Sequence, residues 1–276
     1  MPTREKMSIT EQLMYSTVRI ECEGADTAIY TGTGYFFLFK ENGKRSIPVV
    51  ITNKHVVEGM KKGTLIFTKS KNKEPDDTNH VRLSLDKFES YWIKHPDENV
   101  DLCAMTLVPF FNAAREQGID IFYIPFSFSI VPGEKELNTL VAMEEIVMIG
   151  YPNGIWDEVN NKPIFRKGIT ATHPCFDYNG RKEFLIDAAC FPGSSGSPVL
   201  IINVSPRVEK DGILNLGSIR LFLMGTLYAG PQYTSKGDIH IVKIPTSSKP
   251  IVLTDIPNNL GFVIKSERIK ELELLF

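Results

Sequence analysis

The chain has 276 residues, 42% of them hydrophobic and 23% charged, with 31 basic against 33 acidic side chains and a formal net charge of −2. That length can fill the core of one compact unit or of two closely packed halves, and the composition excludes extensive disorder. So small a net charge gives no global field to gather nucleic acid or an anionic membrane, and no stretch approaches the about 18 uninterrupted apolar residues of a spanning helix, so neither nucleic-acid binding nor stable membrane insertion is expected.

Residues 1–14 form an N-terminal extension. Its start, Met1-Pro-Thr-Arg-Glu-Lys-Met7, carries positive charge but no apolar run of signal-peptide length, so the chain as it stands reads as cytoplasmic. Strand signals follow at Thr17-Val-Arg-Ile20, Gly34-Tyr-Phe-Phe-Leu-Phe39 and Ile47-Pro-Val-Val-Ile-Thr52, with Glu41-Asn-Gly-Lys44 as a hairpin turn between the last two. Further strands are expected at Thr64-Leu-Ile-Phe67, Val81-Arg-Leu-Ser-Leu85 and Leu102-Cys-Ala-Met-Thr-Leu-Val108, the last closed by Pro109, which has no N–H for a continuing ladder. A first β unit thus spans residues 15–109.

Residues 110–135 read as a connection holding a short helix, Phe111-Asn-Ala-Ala-Arg-Glu116. A second β unit, 136–276, shows strand signals at Glu145-Ile-Val-Met-Ile149, Glu183-Phe-Leu-Ile186, Pro198-Val-Leu-Ile-Ile202 and Leu221-Phe-Leu-Met-Gly-Thr-Leu-Tyr228. It ends in a helix capped by Ser266, whose apolar positions Ile269, Leu272 and Leu275 are expected to pack on that same unit. Cys22, Cys103, Cys175 and Cys190 contain no close-spaced pair of the kind that binds zinc or does redox chemistry, and they read as small semi-buried thiols.

The sharpest chemical signal is Phe191-Pro-Gly-Ser-Ser-Gly-Ser-Pro-Val199. Glycines flanking a serine let the backbone turn sharply and present N–H groups, so those of Gly193 and Ser195 can converge on the oxyanion of a tetrahedral intermediate. A serine hydroxyl needs a base, and His55, just after the apolar strand ending at Thr52, supplies an imidazole on a rigid support. Asp101, at the mouth of the next apolar strand, can accept from His55 Nδ1 and leave Nε2 facing Ser195.

Thr52-Asn-Lys-His-Val-Val57, Val100-Asp-Leu-Cys-Ala104 and Gly193-Ser-Ser-Gly-Ser-Pro198 resemble the histidine, aspartate and serine signatures of trypsin/chymotrypsin-fold serine peptidases. Gly32-Thr-Gly-Tyr-Phe36, Ile149-Gly-Tyr-Pro-Asn-Gly154, Asp187-Ala-Ala-Cys-Phe-Pro192 and Asn259-Leu-Gly-Phe-Val-Ile-Lys-Ser266 are similar to segments of the HtrA-like branch, although no PDZ module follows. The resemblance implies an all-β, trypsin-like double six-stranded antiparallel β-barrel with a C-terminal helix, the active site lying between the barrels. It implies a serine endopeptidase that acts on a polypeptide substrate with no metal or organic cofactor. The alternative is a catalytically silent peptidase fold serving as a binding or scaffold module.

The resemblance also assigns a substrate edge at Tyr228, Ala229 and Gly230, and a pocket-floor position at Ala189, whose small side chain favours small or medium apolar residues on the acyl side of the cut. Two departures stand out. Ser194 replaces the acid that zymogen-type relatives place before the nucleophile, so no buried ammonium–carboxylate pair organises the loop and no maturation cleavage is expected; Ser197 stands where glycine is usual.

Overall fold

The computed structural model describes all residues except 1–6, 27, 42–44, 204–206, 209–213, 216–218, 239–250 and 258. The expected hairpin turn at Glu41-Asn-Gly-Lys44 falls, at 42–44, outside the described residues. In chain order the strands are β1 Thr17–Glu23, β2 Ile29–Phe39, β3 Ile47–Thr52, β4 Lys62–Lys71, β5 Glu74–Asp86, β6 Ile93–Lys94, β7 Cys103–Thr106 and β8 Ile121–Phe122, then β9 Glu145–Gly150, β10 Ile164–Thr170, β11 Glu183–Asp187 and β12 Pro198–Asn203. They continue as β13 Arg207–Val208, β14 Leu214–Asn215, β15 Arg220–Ala229, β16 Gln232–Asp238, β17 Ile251–Pro257 and β18 Leu260–Lys265. The α-helices are short: α1 Ile9–Leu13, α2 Lys54–Val57, α3 Val108–Glu116, α4 Glu134–Leu137 and α5 Ile269–Glu273. Among the described residues no helix is long and apolar enough to cross a membrane.

The expected pair of six-stranded barrels is not what forms. The second half closes into a six-stranded antiparallel barrel, β10-β11-β18-β15-β12-β9, whereas the first half is an open eight-stranded sheet, β5-β4-β1-β2-β3-β7-β6, with β8 added on β4. Closure fails because the edge strand β6 has only two residues and pairs only with β7. The chain between β5 and β6 is spent instead on a 3-10 turn, Phe88–Tyr91, whose buried Phe88 ring lies over Gly63 of β4. A barrel needs a continuous ladder around its girth, and two residues cannot bridge β7 to β5.

Strand β2 shows why the sequence is apolar without alternation. Tyr35, Phe37 and Phe39 point one way, into a cluster shared with Leu200, Leu223 and Ile264 of the barrel, while Phe36 points the other way, to Val18, Ile20, Leu65 and Met105 of its own sheet. Both faces are buried, so both need apolar side chains, each contributing about 1.5–3 kcal/mol when fully buried. The barrel has its own interior of Ile146, Met148, Phe184, Val199, Met224 and Val263.

Two expectations at the ends of elements also change. Pro109 does close the strand before it, but by opening α3 as one of its first residues, which needs no N–H there. The C-terminal helix starts with a 3-10 turn at Ser266–Arg268, and Ser266 is buried inside that turn and not its cap. Ile269 and Leu272 join the cluster between sheet and barrel, and Phe276 meets Phe39 of the first sheet at 5.1 Å, so the helix spans the seam and is not confined to the barrel.

Polar contacts hold the same corner. Arg268 donates to Asp97 Oδ2 at 2.8 Å and pairs with Glu271 at 3.0 Å, beside the buried His95, whose Nδ1 accepts from Asp97 N–H at 3.1 Å. Burial, then the Arg268 cation and more weakly Lys54, pull the His95 pKa below its ordinary 6.5, with Glu271 opposing. The unfolded chain binds that proton near pH 6.5 while the native ring resists it, so the unfolded state holds more protons below 6.5 and stability falls with acidification. Chemical denaturation between about pH 7 and 5 should show the wild type losing stability faster than His95→Asn, whose side-chain oxygen still accepts from Asp97 N–H; parallel pH curves would refute the linkage.

Candidate active site

The apolar strand β3 ends at the buried Thr52 and Asn53, and the chain then makes the single turn α2, anchored by the buried Val56 and Val57 with His55 on its exposed side. Strand β7 pairs with β3 through Thr52↔Cys103, and this register brings the residue two before Cys103 to the start of that turn. Asp101 accordingly grips His55 at two points: Oδ1 accepts from His55 N–H at 3.1 Å, and Oδ2 lies 2.5 Å from His55 Nδ1. Asn53 Nδ2 donates to the Asp101 carbonyl at 2.7 Å and fixes the carboxylate's own backbone. The His55 side chain is 46% exposed, against 22% for Asp101.

The serine loop lies against β2. Gly193 and Gly196 both have positive φ, 86° and 85°. A Cβ on Gly193 would stand 2.5 Å from the Tyr151 carbonyl oxygen, and one on Gly196 would overlap the Thr33 carbonyl, so both glycines are needed for fit as well as for conformation. The fully buried Thr33 makes four bonds there. Its N–H donates to the Ser195 carbonyl at 2.9 Å, its hydroxyl donates to the Gly193 carbonyl at 2.9 Å and accepts from Tyr151 N–H at 3.1 Å, and its carbonyl accepts from Thr52 Oγ1 at 2.7 Å.

On the barrel side, Asn153 N–H donates to the Pro192 carbonyl at 2.5 Å, Gly196 N–H to Leu227 at 2.8 Å, and Leu227 N–H to Ser197 at 3.0 Å. Among the described residues no protein acceptor takes the N–H of Gly193 or of Ser195. Ser194 and Ser197 are buried, and their hydroxyls have no hydrogen-bond partner.

Ser195 is half-buried at the rim of a cleft of about 120 Å³ walled by Cys190, Phe191, Leu227, Ala229, Gly230 and Leu260. Of the positions expected to touch substrate, Ala229 and Gly230 line this cleft. Ala189 and Tyr228 do not: the Ala189 carbonyl accepts from Arg166 Nη1 at 2.9 Å, and Tyr228 turns its hydroxyl to Glu183 at 3.0 Å and its ring to Phe262 at 6.2 Å. Cys190 takes the place expected of Ala189, and burial pushes its thiol up to about 11, so it presents a neutral wall at pH 7.

The structure therefore brings His55 and Asp101 into direct contact and docks the Ser195 backbone on the same sheet, but no hydrogen bond joins Ser195 Oγ to His55. In the sequence Thr33 and Asn153 stand out only as parts of the Gly-Thr-Gly and Tyr-Pro-Asn-Gly segments; their contacts with the serine loop are long-range and leave no local pattern. Among the described residues no group of His, Cys, Asp and Glu side chains is placed to hold a metal ion.

Residues 32–203 match the trypsin-like peptidase domain family. No curated protein matches the chain. Among solved structures it is similar to the inactive form of Rv3671c from M. tuberculosis H37Rv, with 14% identity over 95% of this chain and 86% of that one and a TM-score of 0.43. The active form of the Rv3671c protease gives 14% identity over 93% and 78%, with a TM-score of 0.44. A serine-to-alanine variant of the HtrA-type protease AlgW with a tripeptide gives 15% over 94% and 58%, with a TM-score of 0.47, so this chain spans 58% of that AlgW chain.

Gly196→Ala tests the docking of the serine loop. Its side chain would press on the Thr33 carbonyl and on Thr52 Oγ1 while strained by φ +85°, and the expected loss is about 3 kcal/mol in denaturant unfolding, from backbone strain and overpacking together. A variant as stable as the wild type would show that the loop does not seat as described.

Proposed function

Since the chain belongs to the trypsin-like peptidase domain family, we propose that it is a serine endopeptidase with Ser195 as nucleophile, His55 as general base and Asp101 as the group that orients the histidine. One observation carries this reading: the two-point grip of Asp101 on His55, at 2.5 Å to Nδ1 and 3.1 Å to the main-chain N–H, in a protein whose Ser195 loop is bonded to the sheet that carries them. In this reading Nδ1 carries the ring proton and donates it to Asp101 Oδ2, which leaves Nε2 to take a proton from outside.

In this reading the Ser195 hydroxyl attacks a peptide carbonyl as Nε2 of His55 removes its proton. The oxygen that gains negative charge is received by the N–H groups of Gly193 and Ser195, which have no protein acceptor among the described residues. The imidazolium, stabilised by Asp101, then protonates the departing amine. A water deprotonated by the same nitrogen releases the acyl group. Ser195 Oγ and Nε2 must meet for this to run, and a substrate that fills the cleft is what closes such loose pairs.

The polypeptide substrate lies, on this reading, along the end of β15. On its β12 side that strand is bonded as far as Leu227, and beyond it Ala229 and Gly230 are the main-chain groups that an extended peptide would meet. The cleft beside Ser195 is small and, among the described residues, has no charged side chain on its walls, which supports small or medium apolar residues on the acyl side of the cut.

A fluorophosphonate probe should label the wild type at Ser195 and fail on Ser195→Ala, while a peptide library should yield cuts after small aliphatic residues. Asp101→Asn should keep the fold and lower kcat about ten-thousand-fold, because the wrong tautomer is then stabilised. Peptide binding by the wild type with neither labelling nor turnover would replace this reading with that of a silent binding module.

A further inference from the structure

We propose that Thr33 is a positioning residue for this reaction: its hydroxyl, with the main-chain N–H of Asn153, holds the serine loop so that the Gly193 and Ser195 N–H groups face the substrate carbonyl. The inference rests on the peptidase reading and says what keeps its oxyanion-binding donors in place. Ser194 cannot do so, since its side chain is buried without a charge and without a hydrogen-bond partner.

The loop is held by its carbonyls instead. The Pro192 carbonyl is taken by Asn153 N–H at 2.5 Å, the Gly193 carbonyl by Thr33 Oγ1 at 2.9 Å, and the Ser195 carbonyl by Thr33 N–H at 2.9 Å. A trans peptide points its N–H opposite to its C=O, so fixing the Pro192 carbonyl toward Asn153 turns the Gly193 N–H away from that loop. The Ser194 carbonyl accepts from Ser197 N–H at 3.0 Å, which in the same way directs the Ser195 N–H. The Gly193 carbonyl belongs to the peptide between these two donor-bearing ones, whose N–H, that of Ser194, donates to the Phe191 carbonyl at 3.0 Å. Gly193, at φ +86°, has no side chain to resist a turn of this middle peptide, which would carry the donors on either side with it, so outside contacts must hold it.

The Thr33 hydroxyl is suited to that choice. Tyr151 N–H can only donate, and it occupies a lone pair of Oγ1 at 3.1 Å, which leaves the hydroxyl proton for the Gly193 carbonyl. Thr33 is fully buried, so water does not readily replace it, and its own carbonyl is tied to Thr52, three residues before His55. One residue thus references the donors that receive the charge to the strand that carries the base.

Thr33→Val removes the hydroxyl at constant shape and Thr33→Ser restores it. In Thr33→Val, kcat on a peptide should fall about a hundred-fold, as for loss of one oxyanion donor, with KM within about two-fold, and a peptide aldehyde should lose affinity in parallel while a product peptide should not. Thr33→Ser should recover kcat to within about three-fold. A merely structural residue would lower the unfolding temperature without this split between kcat and KM; should Thr33→Val not fold, Thr33→Ala serves in its place. Unchanged kcat in the hydroxyl-less variant, or a serine variant equally impaired, overturns the proposal.

Crystal structures of Ser195→Ala, alone and combined with Thr33→Val or Thr33→Ser, decide the same point without turnover. The Gly193–Ser194 peptide, whose carbonyl Thr33 holds, should rotate in the valine variant and displace the Gly193 N–H, and should stay in the serine variant; an unmoved peptide in the valine variant overturns the proposal. Absence of probe labelling in the wild type would instead end the peptidase reading, leaving these structures to judge the clamp.

Discussion

Where Thr33 N–H meets the Ser195 carbonyl at 2.9 Å, the open sheet and the barrel are joined. His55 and Asp101 stand at the ends of β3 and β7 of the open sheet and Ser195 stands before β12 of the barrel, so how the histidine and the serine lie to one another is no local property of either segment. It depends on how firmly β2 is seated against the barrel. The bond is donated by the fully buried Thr33 and is flanked by glycines with no side chains to hold the backbones apart, so the distance between the two halves is fixed at the serine loop.

The seam around that bond is held by two different kinds of force. The apolar cluster of Tyr35, Phe37, Phe39, Leu200, Leu223, Ile264, Ile269 and Leu272 supplies most of the free energy but is indifferent to small sliding motions. Register comes from buried polar contacts: Tyr35 Oη with Thr226 Oγ1 at 2.8 Å, Asn161 Nδ2 with Thr68 Oγ1 at 3.2 Å, and Lys162 Nζ with Asp77 Oδ1 at 2.6 Å. Each would leave an unsatisfied group in a dry interior if the halves shifted, at a cost of about 1–3 kcal/mol for a neutral group and more for a charged one. The Lys162 ammonium is also over the Tyr15 ring at 4.1 Å, which binds the chain around α1 into the same joint.

Much of this was legible in the sequence wherever the signal is local. The strands built from Gly34-Tyr-Phe-Phe-Leu-Phe39 and Ile47-Pro-Val-Val-Ile-Thr52 are read correctly because both of their faces are buried and every residue is apolar or β-branched. Strand β10, Ile164-Phe-Arg-Lys-Gly-Ile-Thr170, was missed because its exposed residues interrupt the pattern, and β6 and β8 have two residues each, too few for any periodicity. Closure of a sheet depends on whether its edge strands can meet, which no stretch of sequence encodes, so the strand signals of the first half do not distinguish the expected barrel from the open sheet that forms. At the cleft, counting back from the serine selected Ala189, but the chain's path turns the neighbouring Cys190 to the cavity; a shift of one residue reverses which side faces inward.

The anchors of the serine loop also differ in kind from the pair that holds His55. The histidine is gripped by the side chain of an aspartate. The loop is gripped by a hydroxyl and by main-chain amides, none of which titrates between about pH 5 and 9. Under the peptidase reading, the two requirements of the reaction therefore rest on different contacts: a carboxylate orients the base, while the donors for the oxyanion are held by groups that keep their form across that range. A buried carboxylate at position 194 would have made the loop's geometry depend on its own ionisation. With Ser194 in that position, the loop's conformation follows from how the two halves pack.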